Sequence, residues 1–177
     1  GLEEGEFYGM VFQDSDVAKW LEAAAYSLWV SPDAELEKRA DAVIDLVAKA
    51  QQPDGYLDTY FTIKEPKNRW KNLLEGHELY CMGHMMEAAC GYYEVTGKKK
   101  ILEVAEKMAD YIASVFDEEH YGIPGHEEVE VGLMRLYQLT GETKYCKLAS
   151  YFVENRGKKK DFFHKEKEKR DFSIFNM

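Results

Sequence analysis

The sequence predicts an all-α fold of three helical hairpins, about six helices, and two observations carry that expectation. The first is an internal echo. Gly76-His77-Glu78-Leu79-Tyr80-Cys81-Met82-Gly83 and Gly125-His126-Glu127-Glu128-Val129-Glu130-Val131-Gly132 both open Gly-His-Glu, and each has a second glycine seven residues on. Further along, Tyr93-Glu94-Val95-Thr96-Gly97-Lys98 is matched by Tyr137-Gln138-Leu139-Thr140-Gly141-Glu142. A hairpin cannot bury its apolar face alone, so a repeated one stacks on its copy and sets equivalent helix starts side by side. The second observation is that apolar residues recur at three- and four-residue spacing along most of the chain, with no convincing pair of strands.

Residues 1–13, rich in Gly and Glu with Phe7, Tyr8 and Phe12, read as a leading loop. Asp14-Ser15-Asp16 offers caps for a first helix whose inward face is Trp20, Leu21, Ala24, Ala25 and Leu28. Ser31-Pro32-Asp33 stops and restarts the chain. Leu36, Ala40, Val43, Ile44, Val47 and Ala48 then make a second amphipathic helix that ends before Pro53. Residues 51–57 form a Pro-Gly turn, 58–63 are extended at most, and 64–75 are a long connection carrying Trp70. A third helix is expected over about residues 77–95, a fourth over 99–115, a fifth over 126–139 and a sixth over 143–155. One domain is expected over residues 1–157. The remainder, 158–177, mixes charge and aromatics without a firm period and reads as a loosely tied tail.

With 23 basic against 33 acidic residues the chain carries −10, which argues against nucleic acid or an anionic membrane as main partner. The acidic part is the folded part, since 29 of the 33 acidic residues precede Arg156. Cys81, Cys90 and Cys146 are odd in number and lack C-x-x-C spacing, so reduced structural thiols are expected. No signal-like apolar block or membrane-spanning apolar run is present, and a cytoplasmic location is the expectation.

Chemistry concentrates at the two Gly-His-Glu starts. A neutral imidazole near a helix N-terminus can donate and accept hydrogen bonds to a neutral polyol. The plain alternative is that each His satisfies loop backbone at a tight turn. The repeat brings both to one mouth and so favours a shared ligand site at His77 and His126. Tyr80, Trp70, Asp54, Tyr56 and Glu130 are further lining candidates, Glu130 because it sits one turn after His126 and could orient its imidazole. Glu78, Glu127 and Glu128 read as carboxylates stabilised in first helical turns. His77-Glu78-Leu79-Tyr80-Cys81 approximates a zinc-binding H-E-x-x-H with Cys in last place and His84 a turn on, but packing of Cys81 is the simpler reading and no metal site is assigned. No carboxylate pair, P-loop or nucleophile elbow is legible.

Taken in order, Phe12-Gln13-Asp14-Ser15-Asp16-Val17-Ala18-Lys19-Trp20, Gln52-Pro53-Asp54-Gly55-Tyr56-Leu57, the two Gly-His-Glu stretches and Leu136-Tyr137-Gln138-Leu139-Thr140-Gly141 resemble glycoside hydrolase family 127, the β-L-arabinofuranosidases. The resemblance spans about residues 7–157. It implies an (α/α)6 barrel, here about half of one, with His77 and His126 hydrogen-bonding sugar hydroxyls. It also implies a retaining mechanism in which a zinc-bound Cys is the nucleophile. The family's Glu-Thr-Cys and Cys-Cys motifs lie beyond Met177, so no catalytic residue and no cofactor is expected in this chain, which alone should be inactive. Carbohydrate is the expected partner, and the exposed surface of a half barrel could pair with a second copy. The competing reading is a helical-repeat module that binds a peptide or protein without catalysis.

Overall fold

A computed structural model describes residues 8–156 and 158 of the chain. Its helices are α1 (Asp14–Val30), α2 (Ala34–Ala50), α3 (Thr59–Ile63), α4 (Glu78–Thr96), α5 (Lys100–Val115), α6 (Val129–Thr140) and α7 (Thr143–Asn155), with a 3-10 turn at Pro66–Asn68. Among the described residues there is no strand, and no helix is long and apolar enough to cross a membrane. The expected tail lies, Lys158 apart, outside the described residues.

Each hairpin supplies one helix to each of two layers, as in part of an α/α barrel. α1, α4 and α6 lie side by side in an inner row, while α2, α5 and α7 back them. α4 is central: Leu79, Met82, Met85, Met86, Ala88, Ala89 and Tyr92 are all buried, and a helix apolar on most sides is a core helix. α1 turns Ala18, Leu21, Ala25 and Leu28 inward. Trp20, expected among them, is 41% exposed, because those four already hold the inward stripe and Trp20 falls on its edge.

The duplicated motif has a structural meaning. A Cβ on Gly132 would stand 2.6 Å from the Gly83 carbonyl oxygen, and one on Gly83 would stand 2.7 Å from the backbone of Glu128 and Val129. The equivalent glycines of the two copies therefore touch each other, and only hydrogen at both Cα atoms lets α4 and α6 pack backbone to backbone. The Thr-Gly ends are also alike: Thr96 and Thr140 each donate to the carbonyl four residues back at 2.7 Å, ahead of Gly97 and Gly141.

Two boundaries differ from the sequence expectation. Residues 59–63, expected to be extended, form α3, because Asp58 accepts from the Phe61 N–H and caps a single turn that buries Tyr60 and Phe61. There are thus seven α-helices among the described residues rather than six. Residue 126 does not begin the fifth long helix. Helical bonding starts only where the Glu128 carbonyl accepts from Gly132 N–H, while Gly125 N–H is held by the Leu73 carbonyl.

Candidate functional site

His77 stands at the N-cap of α4 with φ 56, a left-handed conformation uncommon outside glycine. Such strain costs of order 1 kcal/mol, offset by a 2.5 Å hydrogen bond between His77 Nδ1 and the Glu75 carbonyl. A carbonyl only accepts, so Nδ1 carries the proton and Nε2 of the neutral ring carries the lone pair. Burial lowers the His77 pKa from its ordinary 6.5 and so favours that neutral form. His126 Nε2 lies 3.1 Å from His77 Nε2, with ring centroids 4.9 Å apart. Since His77 accepts there, His126 donates.

Tyr80, one turn along α4, flanks both rings at 5.6 Å from His77 and 5.2 Å from His126. Phe12 closes the other side of His77 at 5.3 Å. The Tyr80 hydroxyl accepts from Lys19 Nζ at 2.9 Å. His84 stands edge-on to Tyr80 at 4.6 Å. Its Nδ1 lies 2.9 Å from Glu128 and 3.8 Å from Glu87. Arg135 of α6 reaches Glu22 at 2.8 Å and Glu87 at 3.6 Å. These side chains line the open face of the inner row.

The other sequence candidates divide. Tyr56 and Trp70 brace the motif: the buried carboxyl of Glu78 accepts from the Tyr56 hydroxyl at 2.5 Å and from the Trp70 N–H at 2.8 Å. Burial raises Glu78 to about 8 and pushes the Tyr56 phenol further still above its ordinary value. Glu78 is therefore more than a first-turn carboxylate, and Tyr56, fully buried, does not line an open mouth. Trp70 packs edge-on against Tyr56 and Phe116 at 5.5 and 5.2 Å. Asp54 stays exposed at the turn, where it accepts from Tyr56 N–H at 3.0 Å and pairs with Arg69 at 3.6 Å. Glu130 is buried and faces Arg156 at 3.4 Å, so the expected pairing with His126 is replaced by one from the end of α7. Among the described residues its buried Oε2 has no hydrogen-bond partner on another residue.

His77, His126 and Tyr80 are thus brought together. Lys19, Glu87 and Arg135 carry no sequence signal of a site, whereas Glu128 stands inside the second motif copy and His84 directly follows the first.

A profile of the β-L-arabinofuranosidase GH127 catalytic domain matches residues 1–173. The chain belongs to this family. A non-reducing end β-L-arabinofuranosidase of Bifidobacterium longum subsp. longum is 47% identical over 173 residues, covering 94% of this chain and 26% of that protein. A crystal structure of a GH127 β-L-arabinofuranosidase from Geobacillus stearothermophilus T6 is 56% identical with a TM-score of 0.90, over 94% of this chain and 27% of that one. A second solved GH127 β-arabinofuranosidase is 38% identical with a TM-score of 0.84, over 92% and 28%. The chain therefore spans about a quarter of these relatives, matching their N-terminal part.

A cysteine-held zinc, implied by the GH127 resemblance, does not fit the residues present. Cys81 is buried with Sγ 3.5 Å from the Phe12 carbonyl, and burial pushes its thiol well up. Cys90 is buried and raised to about 12. Among the described residues no potential ligand cluster contains a cysteine. No catalytic step is derived through that metal.

Proposed function

We propose that this chain forms the imidazole side of the sugar pocket of a retaining β-L-arabinofuranosidase, supplying binding and orientation and no nucleophile. The observation that carries the reading is the 3.1 Å contact between the two Nε2 atoms. One is a lone-pair acceptor and the other a donor, and a sugar hydroxyl is both. A hydroxyl entering between the rings can donate to His77 and accept from His126, replacing their mutual bond without loss once the nitrogens part to about 5 Å. Neither ring needs to be charged, which suits a neutral carbohydrate. Tyr80 and Phe12 supply the apolar walls a sugar ring packs against. Membership of GH127 and the names of the relatives supply the substrate class.

The test is titration of the chain with methyl β-L-arabinofuranoside, followed by imidazole NMR. The His77 and His126 signals are expected to move together, with His120, exposed and paired with Asp117, unmoved. Replacing His126 by Ala should largely abolish the His77 response. An equal shift at His120, or no shift at either ring at saturating glycoside, would refute the reading.

A further inference from the structure

One ring away from the imidazole pair, three potential ligands converge from two elements. His84 and Glu87 sit three residues apart on α4, and Glu128 is carried in by the loop before α6. One ligand atom from each lies within 4.8 Å of the others. We propose that His84, Glu87 and Glu128 form a binding site for a divalent transition-metal cation, held by one nitrogen and two oxygens and distinct from any cysteine-ligated metal.

Four observations carry this. A tetrahedral zinc with ligands at 2.0–2.1 Å sets its donor atoms about 3.3 Å apart. The spacings of His84 Nδ1 to Glu128 Oε1, 2.9 Å, and to Glu87 Oε2, 3.8 Å, bracket that value. The remaining separation, between the two carboxylates, lies within 4.8 Å, so the three donors need only draw together to close on an ion. Second, among the described residues the buried Glu128 Oε1 has no aligned hydrogen bond, although His84 Nδ1 stands 2.9 Å away. A buried acceptor left unfilled is costly, and a cation fills it. Third, the neighbouring cation is shared. Glu87 and Glu128 both face His84 Nδ1, and Arg135, the cation beside Glu87, is shared with Glu22 and Glu94, so a bound cation would add to a neutralisation that one guanidinium divides among several carboxylates. Fourth, the surroundings prepare the ligands. Tyr80 fixes the plane of the His84 ring, and Arg135 lies 3.6 Å from Glu87 Oε1, which leaves Oε2 for the ion. All three side chains are about 15–17% exposed, so the ion can enter and keep an open coordination position. Imidazole with carboxylate suits zinc and its neighbours better than magnesium or calcium.

This inference does not rest on the sugar reading and has its own readout. Chelator-stripped chain is titrated with Zn2+ by calorimetry, and with Co2+ by absorption spectroscopy. One equivalent should bind, and both Glu128→Gln and His84→Gln should weaken binding at least about 100-fold, at or above the loss seen when a supporting group is removed. Far-UV circular dichroism on each variant separates a lost ligand from a lost fold. Glu103→Gln, on the exposed face of α5 and outside the cluster, serves as a control that should bind like the parent. The cobalt spectrum should show weak d–d bands and no sulfur-to-metal charge transfer. Absence of saturable binding, affinity unchanged in folded Glu128→Gln and His84→Gln variants, or a sulfur charge-transfer band would each overturn the proposal.

Discussion

At Glu78 three constraints meet in one side chain. It follows the strained His77, it is 1% exposed, and it is the acceptor for both Tyr56 and the left-handed Trp70. Burial dominates, so its folded pKa stands at about 8 against the ordinary 4.5. The sign follows from proton uptake on folding. The folded state holds a proton that the unfolded state has released, so this group's contribution is fully present below 4.5 and is lost as pH rises through about 8. Glutamine keeps a carbonyl oxygen for the Trp70 N–H, turns an amide N–H toward the Tyr56 oxygen, and never ionises. Glu78→Gln is therefore expected to flatten the decline in stability over that interval, read as the denaturant midpoint at each pH. A slope equal to the parent's would mean that Glu78 ionises without cost and that the brace under His77 is held some other way.

The helix elements obey the same local chemistry at different addresses, and glycine makes the point. Gly132 meets the Gly83 carbonyl, whereas a Cβ at Gly91 would meet nothing nearer than the Arg135 guanidinium at 3.6 Å. Gly132→Ala must push α6 off α4 and is expected to destabilise by about 1–3 kcal/mol. Gly91→Ala removes backbone freedom within a helix and is expected to stabilise by up to about 1 kcal/mol. Thermal unfolding of the two variants checks both signs, and equal losses would mean the α4–α6 contact is slack. The sequence displayed both motif glycines but not that they touch, because register between helices is set by packing across 49 residues of chain. The hairpins were legible since apolar spacing is a local signal. α3 was not, since one aspartate cap outweighed an aromatic, β-branched run that reads as strand. The same divide runs through the site. His77 and His126 announced themselves by repetition, while Lys19 reaches Tyr80 from 61 residues away and Arg135 reaches Glu22 from 113. The expected link from Glu130 to His126 relied on helical spacing that begins only at Val129.

For the whole molecule the question is what the open face of the inner row does in water. Tyr26, Trp29 and Val30, spaced three and four apart on α1, are 50%, 73% and 82% exposed. They continue the stripe of Lys19 and Glu22, and so adjoin the face that carries Tyr80 and Arg135. Exposed aromatics in such a row favour association. Opposing it is a net charge of −10, which repels a second copy at neutral pH. The balance should tip near the isoelectric point of about 5.0, where the repulsion vanishes, and also with added salt at neutral pH, which screens it. Sedimentation velocity over a concentration series is expected to give a dimer that grows as pH falls toward that point. Trp29→Lys, which adds charge at the most exposed aromatic of the row, should shift the series back toward monomer. A chain that stays monomeric near its isoelectric point at every concentration would mean that the exposed row on α1 does not drive self-association even when charge repulsion is gone.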